Sequence, residues 1–290
     1  MKIAFAGLGV MGAPMARHLL AAGHAVAGFN RSPDKARVWA EIHGGRFAAT
    51  VAEAAAGAEL LVLCVGNDDD VREVVSEALP HLEAGSVIVD HTTTSARVAR
   101  EMSALAAETG RFFIDAPVSG GQAGAETGQL SVMAGGDAGA LARVEPAVMA
   151  YSKAIKHMGP SGAGQLTKMV NQIAIAGVVQ GLAEAVTFAQ AAGLDTDAAY
   201  DAISKGAAQS WQMDNRWKTA AAGQFEFGFA VDWMRKDLGL VLDEARANGA
   251  SLALTAMVDQ FYSEVQAMGG SRWDTSSLTA RLQARASHKD

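Results

Sequence analysis

The stretch GPSGAGQLTKMVNQ, residues 159 to 172, places Lys168 and Asn171 just inside what reads as a long apolar helix. Near a helix's amino end the macrodipole is positive, so stability alone disfavours a cation there. Three residues apart, the two side chains project from one helix face. Desolvation and the dipole both push an amine at this position toward its neutral form. A neutral amine can act as a general base, taking the proton from a hydroxyl group held against it. Asn171 is then placed to orient the hydroxyl or the amine. The plain alternative is that Lys168 reaches past apolar neighbours to water.

A second constellation is Gly7-Leu8-Gly9-Val10-Met11-Gly12, a GxGxxG that follows a β-type run and opens a helical one. In that context the glycines permit a tight turn, close approach of a pyrophosphate and close helix packing, with the phosphates at the helix amino end. About twenty residues on, an NAD site expects an acidic side chain at the end of the second strand. Here that place reads Asn30, Arg31 and Ser32 after Phe29. An amide, a guanidinium and a hydroxyl all donate to a 2′-phosphate, so the sequence favours NADP, with NAD possible.

The segment DAPVSGG, Asp115 to Gly121, ends an apolar strand with Ser119, Gly120 and Gly121. Their backbone amides can form a nest for a carboxylate, or the segment is simply a glycine-rich turn. Asp68, Asp69 and Asp70 read as helix-capping residues that favour the dipole. The seven histidines show no metal-ligand spacing, so no metal is expected. Trp211, Trp217 and Trp233 sit among helical polar residues and read as packing rather than substrate-stacking residues.

These residues must be held by a scaffold, and the pattern supplies one. From residue 2 to about 158, short β-rich runs alternate with helical ones: KIAFA and MARHLLAAG, AVAGFN and PDKARVWAEI, ELLVLCV and DVREVVSEAL, SVIVD and SARVAREMSALAAE. Such alternation implies a mostly parallel sheet with helices on both faces. After FFIDAPV and LSVMAGG the strand signals fade. The expected fold is α/β: a Rossmann-type doubly wound domain over 1–162, then an all-α substrate and dimerisation domain over 163–290, opened by a long interdomain helix. Turn residues at Gly159–Gly164 mark the boundary, where two domains would make a cleft.

The long helix is apolar around its circumference and must be buried on most sides, which predicts a homodimer or homotetramer built on the second domain. Gln180 and Glu184 within it argue against a membrane span. An excess of 31 acidic over 24 basic residues argues against a nucleic-acid surface. A lone cysteine, Cys64, suggests a reducing, cytoplasmic setting. The tail ARASHKD is expected to fray.

Taken together, GLGVMG, DAPVSGG, the GxxGxGxxxKxxN of Gly159–Asn171 and the KDL beginning at Lys236 resemble the β-hydroxyacid dehydrogenase family, nearly end to end. The resemblance implies that Lys168 is the general acid/base, that Ser119, Gly120 and Gly121 hold a substrate carboxylate, and that Asn171 assists at the reacting oxygen. It also implies cofactor contacts at Cys64 and Val65, at Thr92 and Thr93, near Asp69, and at Lys236, with Phe229 against the nicotinamide. CVGNDDD and HTTTSA depart from many members, which have Leu-Pro at the first place and Ser-Thr followed by proline at the second, so backbone contacts carry over better than side-chain detail. The expected activity is hydride transfer between NADP(H) and a small 3-hydroxy acid or its semialdehyde. The alternatives are an imine reductase, a class that generally lacks the lysine, and a noncatalytic NADP(H)-binding sensor.

Overall fold

The computed structural model describes residues 1–287, so the end of the tail expected to fray lies outside the described residues. The chain divides into two compact units, Met1–Lys168 and Met169–Asp290. Strands β1 (Lys2–Ala6), β2 (Ala25–Phe29), β3 (Arg46–Phe47), β4 (Leu60–Leu63), β5 (Val87–Asp90), β6 (Phe112–Asp115), β7 (Val118–Ser119), β8 (Leu130–Gly135) and β9 (Ser152–Gly159) form one sheet in the first unit. Its order is β3-β2-β1-β4-β5-β6-β8-β7, with β9 beside β8. The strands from β3 to β6 pair in parallel; β8 runs antiparallel to β6 and β7.

Period-2 alternation explains how this sheet is covered on both faces. Ile3, Phe5, Leu60, Val62 and Val89 enter one core cluster with Met15, Leu19 and Trp39. Ala4, Ala6, Leu61, Leu63 and Ile88 enter a second with Val71, Val75, Val98 and Met102. The covering helices are α1 (Gly12–Ala21), α2 (Pro33–His43), α3 (Val51–Ala55), α4 (Asp68–Ala78), α5 (Ala96–Glu108), α6 (Gly121–Thr127) and α7 (Ala138–Val148). Several start on the caps their sequences supply: Thr50, Asn67, Ser95 and Asp137 each accept a backbone amide of the first turn.

Three features differ from the sequence reading. Strand β9 follows the point where strand signals fade, because its residues are mostly exposed and carry Lys153, Lys156 and His157 rather than an apolar alternation. The cap of α4 is Asn67, not the aspartates, which fill its first turn instead. The long helix α8 (Ala163–Ala191) is less buried than its composition demands: Val170, Val178 and Phe188 are 66%, 38% and 72% exposed.

The second unit is helical, with α9 (Thr196–Ile203), α10 (Trp211–Ala221), α11 (Val231–Asn248), α12 (Ala253–Ala267) and α13 (Leu278–Ser287) following α8. Its core packs Ala176, Val179 and Ala183 of α8 against Val231, Met234, Leu238, Val258, Tyr262 and Val265. Trp217 is buried with Val186 and Met213, as packing predicts, whereas Trp211 and Trp233 are exposed.

Candidate active site

In the first unit the chain runs outward from β1 through β2 to β3, then returns to the other side of β1 for β4, β5 and β6. Between β1 and β4 the order reverses, and open α/β sheets bind ligands at the carboxyl ends of strands flanking such a point. The glycine turn of Gly7–Gly12, Asn30, Cys64 with Val65, and Thr92 all follow the carboxyl ends of these strands.

The three glycines of the turn have different reasons to lack a side chain. A Cβ on Gly7, whose φ is +98°, would stand 2.2 Å from the Cys64 carbonyl oxygen, and one on Gly12 would stand 1.9 Å from the Gly7 carbonyl oxygen. Both are demanded by the protein's own packing. Gly9 is not, since a Cβ there would meet nothing within 4 Å. Open space at Gly9, above a helix that begins with no side-chain cap and no acidic residue in its first turn, fits the approach of a phosphate group to bare amides. The turn is pinned from below: Gly7 N–H donates to the Phe29 carbonyl at 2.9 Å, and Leu8 N–H donates to Asn30 Oδ1 at 3.0 Å. Asn30 thus spends its side-chain oxygen on the loop, and its Nδ2 donates to the Ser32 carbonyl at 3.2 Å.

Arg31 stands on the surface, 85% exposed, with Nη1 donating to Asp70 Oδ1 at 3.1 Å. Asp70 in turn accepts the Gly66 amide at 3.0 Å, so the guanidinium is tethered to the turn after β4. Asp69 points into solvent and pairs with Arg72 at 2.9 Å, while Asp68 accepts from the Ser95 hydroxyl and amide. The Thr92 hydroxyl accepts the Val65 amide at 3.0 Å. Thr93 follows it, half-buried in the same loop.

The lysine helix is anchored by a group not singled out in the sequence. Asp115, at the end of β6, is fully buried and accepts the amides of Gly162 at 2.7 Å and Gln165 at 2.9 Å. Burial pushes its carboxyl up to about 6, with the backbone donors pulling the other way. A Cβ on Gly164 would lie 2.4 Å from the Asp115 carbonyl oxygen, and one on Gly135 would lie 2.7 Å from the Asp115 carboxylate. The GxG of the lysine motif therefore lets the helix start come flush onto the strand. One turn later, Lys168 is buried at 8% exposure and its Nζ donates to the Val118 carbonyl at 2.9 Å. Snorkelling to water is not what this lysine does. Ser119 follows Val118, and the chain then turns through Gly120 and Gly121 at φ +130° and +59° into α6.

The remaining expected residues belong to the second unit. Asn171 donates from Nδ2 to Gln172 Oε1 at 2.8 Å, and the buried Gln172 donates to Asp237 at 2.7 Å. Lys236 pairs with Asp237 at 3.3 Å, and its ammonium stands 5.9 Å from the Trp233 ring centroid. Phe229 is 38% exposed, and its amide donates to Asp274. Sequence reasoning also misses a buried pair in the first unit: His91 contacts the Ala116 carbonyl at 2.6 Å and the Tyr151 hydroxyl at 2.8 Å, and burial pushes its imidazole down to about 4.

Comparison with known proteins decides the family. Residues 2–159 match the model for the NAD binding domain of 6-phosphogluconate dehydrogenase, and residues 162–282 match the model described as NAD-binding of NADP-dependent 3-hydroxyisobutyrate dehydrogenase. The chain belongs to the β-hydroxyacid dehydrogenase family. Within it, the chain is 60% identical to an uncharacterized oxidoreductase of Shewanella frigidimarina, over 97% of this chain and 98% of that one. It is 34% identical to the 2-(hydroxymethyl)glutarate dehydrogenase of Eubacterium barkeri, over 96% and 93%. The solved 3-hydroxyisobutyrate dehydrogenase of Mycobacterium tuberculosis with L-serine superposes with a TM-score of 0.89 at 34% identity, covering 97% and 98%. As a β-hydroxyacid dehydrogenase the protein is an NAD(P)-dependent oxidoreductase of the 3-hydroxyisobutyrate dehydrogenase type.

Proposed function

We propose that the protein interconverts a small 3-hydroxy acid and its semialdehyde with a preference for NADP(H), and that Lys168 is the general acid/base. The observation that carries this reading is the buried Lys168 amine, fixed on the Val118 carbonyl directly before the Ser119–Gly121 turn. A buried amine beside a turn of backbone donors is suited to receive a proton next to a bound carboxylate.

In this reading, Ser119, Gly120 and Gly121 bind the substrate carboxylate. Asn171 orients the hydroxyl, and Lys168 Nζ in its neutral form takes the hydroxyl proton as the O–H bond breaks. The nicotinamide, when bound, supplies the acceptor for the hydride leaving the same carbon. In the reverse direction the Lys168 ammonium returns the proton to the carbonyl oxygen. Gly7–Gly12 would hold the pyrophosphate, Arg31 and Ser32 would donate to the adenosine ribose and its 2′-phosphate beside Asn30, whose amide braces the turn, and Cys64, Val65 and Thr93 would contact the nicotinamide end. Residues 1–162 then serve as the cofactor domain and 163–290 as the substrate and dimerisation domain.

The names of two relatives support the substrate class. 3-Hydroxyisobutyrate and 2-(hydroxymethyl)glutarate both carry a hydroxymethyl group on the carbon next to a carboxylate. A panel of hydroxymethyl-bearing acids and their aldehydes, assayed with both nicotinamide cofactors, tests the reading. Turnover on none of them, with cofactor binding intact, would favour the sensor alternative instead.

A further inference from the structure

Gln165 is fully buried in the first turn of α8, and its amide grips one loop at two points. Nε2 donates to the Thr92 carbonyl at 2.7 Å, and Oε1 accepts the Thr94 amide at 3.0 Å. One partner is an acceptor and the other a donor, so only this amide orientation satisfies both. The same loop touches the turn after β4 through the Thr92 hydroxyl, which accepts the Val65 amide at 3.0 Å. A continuous line of hydrogen bonds therefore runs from Val65 through Thr92 and Gln165 into the helix turn that presents Lys168.

Helix initiation does not require this side chain, because Asp115 already takes the Gly162 and Gln165 amides. What the Gln165 side chain adds is lateral register between α8 and the loop after β5. We propose that Gln165 is a positioning residue for the reaction: it sets where the Lys168 amine stands relative to the turns after β4 and β5. The inference rests on Lys168 being the acid/base. The ionisable groups around Gln165 are Asp115, bonded to its backbone amide, Asp90, which accepts the Thr92 amide at 2.9 Å, His91 in the same loop, and Lys168 one turn on.

The test uses two variants of the full chain alongside Lys168→Ala. Gln165→Leu keeps the volume and removes both side-chain hydrogen bonds. A small displacement of a catalytic group can cost on the order of a hundredfold. We expect kcat to fall roughly 10- to 100-fold, with substrate KM and the NADPH Kd from fluorescence titration within about threefold of wild type. Gln165→Glu separates positioning from folding. Its carboxylate can accept from Thr94 but cannot donate to the Thr92 carbonyl, whereas the carboxylic acid does both. Its oxidation rate should therefore gain a fall on the alkaline side that wild type lacks, read at temperatures where the variant is folded.

Normal kcat in Gln165→Leu, even with a lowered melting temperature, overturns the inference. So does a wild-type pH profile in Gln165→Glu, or a loss confined to NADPH affinity. If Lys168→Ala is inactive while Gln165→Leu is fully active, positioning alone fails. If Lys168→Ala keeps full turnover, the acid/base reading itself fails and this inference with it.

Discussion

The Asp115 carboxylate accepts the Gln165 backbone amide at 2.9 Å, so a buried acid at the end of one strand closes the amino terminus of the lysine helix. This group and His91 give the first unit two opposing dependences on pH. Burial lowers His91 from 6.5 to about 4, so its contribution is fully present above the unfolded value and is lost as pH falls toward 4. Asp115 is raised from 3.8 to about 6, so its contribution is greatest below the unfolded value and is lost as pH rises through 6. Each shift is worth about 3 kcal/mol at 1.36 kcal/mol per unit, so the two largely offset each other between pH 4 and 6.

Removing one should unmask the other. His91→Gln keeps a donor for Ala116 and an acceptor for Tyr151, and its melting temperature should rise as pH is lowered from 6.5 toward 4, relative to wild type. Asp115→Asn keeps one acceptor but sets an NH2 against a backbone donor. It should be destabilised throughout and lose further stability steeply over the same range. Thermal melts across that range check both, and parallel curves for all three proteins would contradict the assignment.

Cofactor preference should turn on Arg31. Its pairing with Asp70 is a surface contact, worth about 0 to 1 kcal/mol, so it yields readily to a 2′-phosphate. Arg31→Ala should weaken NADPH binding by more than about tenfold, as expected for a charge-assisted contact of roughly 1.5–3 kcal/mol, while NADH binding barely moves. Asp70→Asn preserves an acceptor for the Gly66 amide and frees the guanidinium, so it should tighten NADPH. Titration of both cofactors by fluorescence decides it, and equal losses for the two in Arg31→Ala would remove the phosphate assignment.

The glycine turn, the strand–helix alternation and the lysine motif are legible because their signals are local. KIAFA runs straight into its turn, and Lys168 stands out against an apolar helix. Asp115 and Gln165 are not, because their partners lie far off in sequence: Asp115 bonds across 47 and 50 residues, and Gln165 across 71 and 73. Nor does periodicity reveal β9, an edge strand whose alternation is mostly polar and exposed. The sequence sets the domain boundary at the Gly159–Gly164 turn, yet the compact units divide inside α8 at Lys168/Met169. The reason is the same long-range anchoring, which ties the first turn of α8 to the sheet.

The exposed face of α8 supports the expectation of a dimer. Val170, Ala174, Val178, Gly181 and Phe188 recur at spacings of three, four and seven residues and are all exposed, so they form one apolar stripe down the helix. A solvated stripe of this kind is costly, and a second copy of the same helix would cover it by two-fold symmetry. Light scattering should give at least twice the chain mass of 30.0 kDa, and Phe188→Asp should shift it toward the monomer. A wild-type protein that stays monomeric at micromolar concentration rules this association out.

Lys168 itself carries the most direct prediction. Its Nζ donates to the Val118 carbonyl, so the amine is held in place by the same segment that precedes the proposed carboxylate turn. Lys168→Ala should lower kcat by roughly a hundredfold to ten-thousandfold, the usual contribution of a positioned acid or base. NADPH binding should survive, because the glycine turn and its supports at Phe29 and Asn30 do not involve this side chain. Lys168→Arg should rescue poorly: a guanidinium can still donate to Val118 but stays protonated and cannot accept the hydroxyl proton. The oxidation rate of the wild type should rise with pH as the amine becomes neutral, and the residual rate of Lys168→Ala should lose that dependence. Near-normal turnover with an unchanged pH profile in Lys168→Ala would make the lysine a structural tie for Val118 and leave the proton acceptor to be found elsewhere.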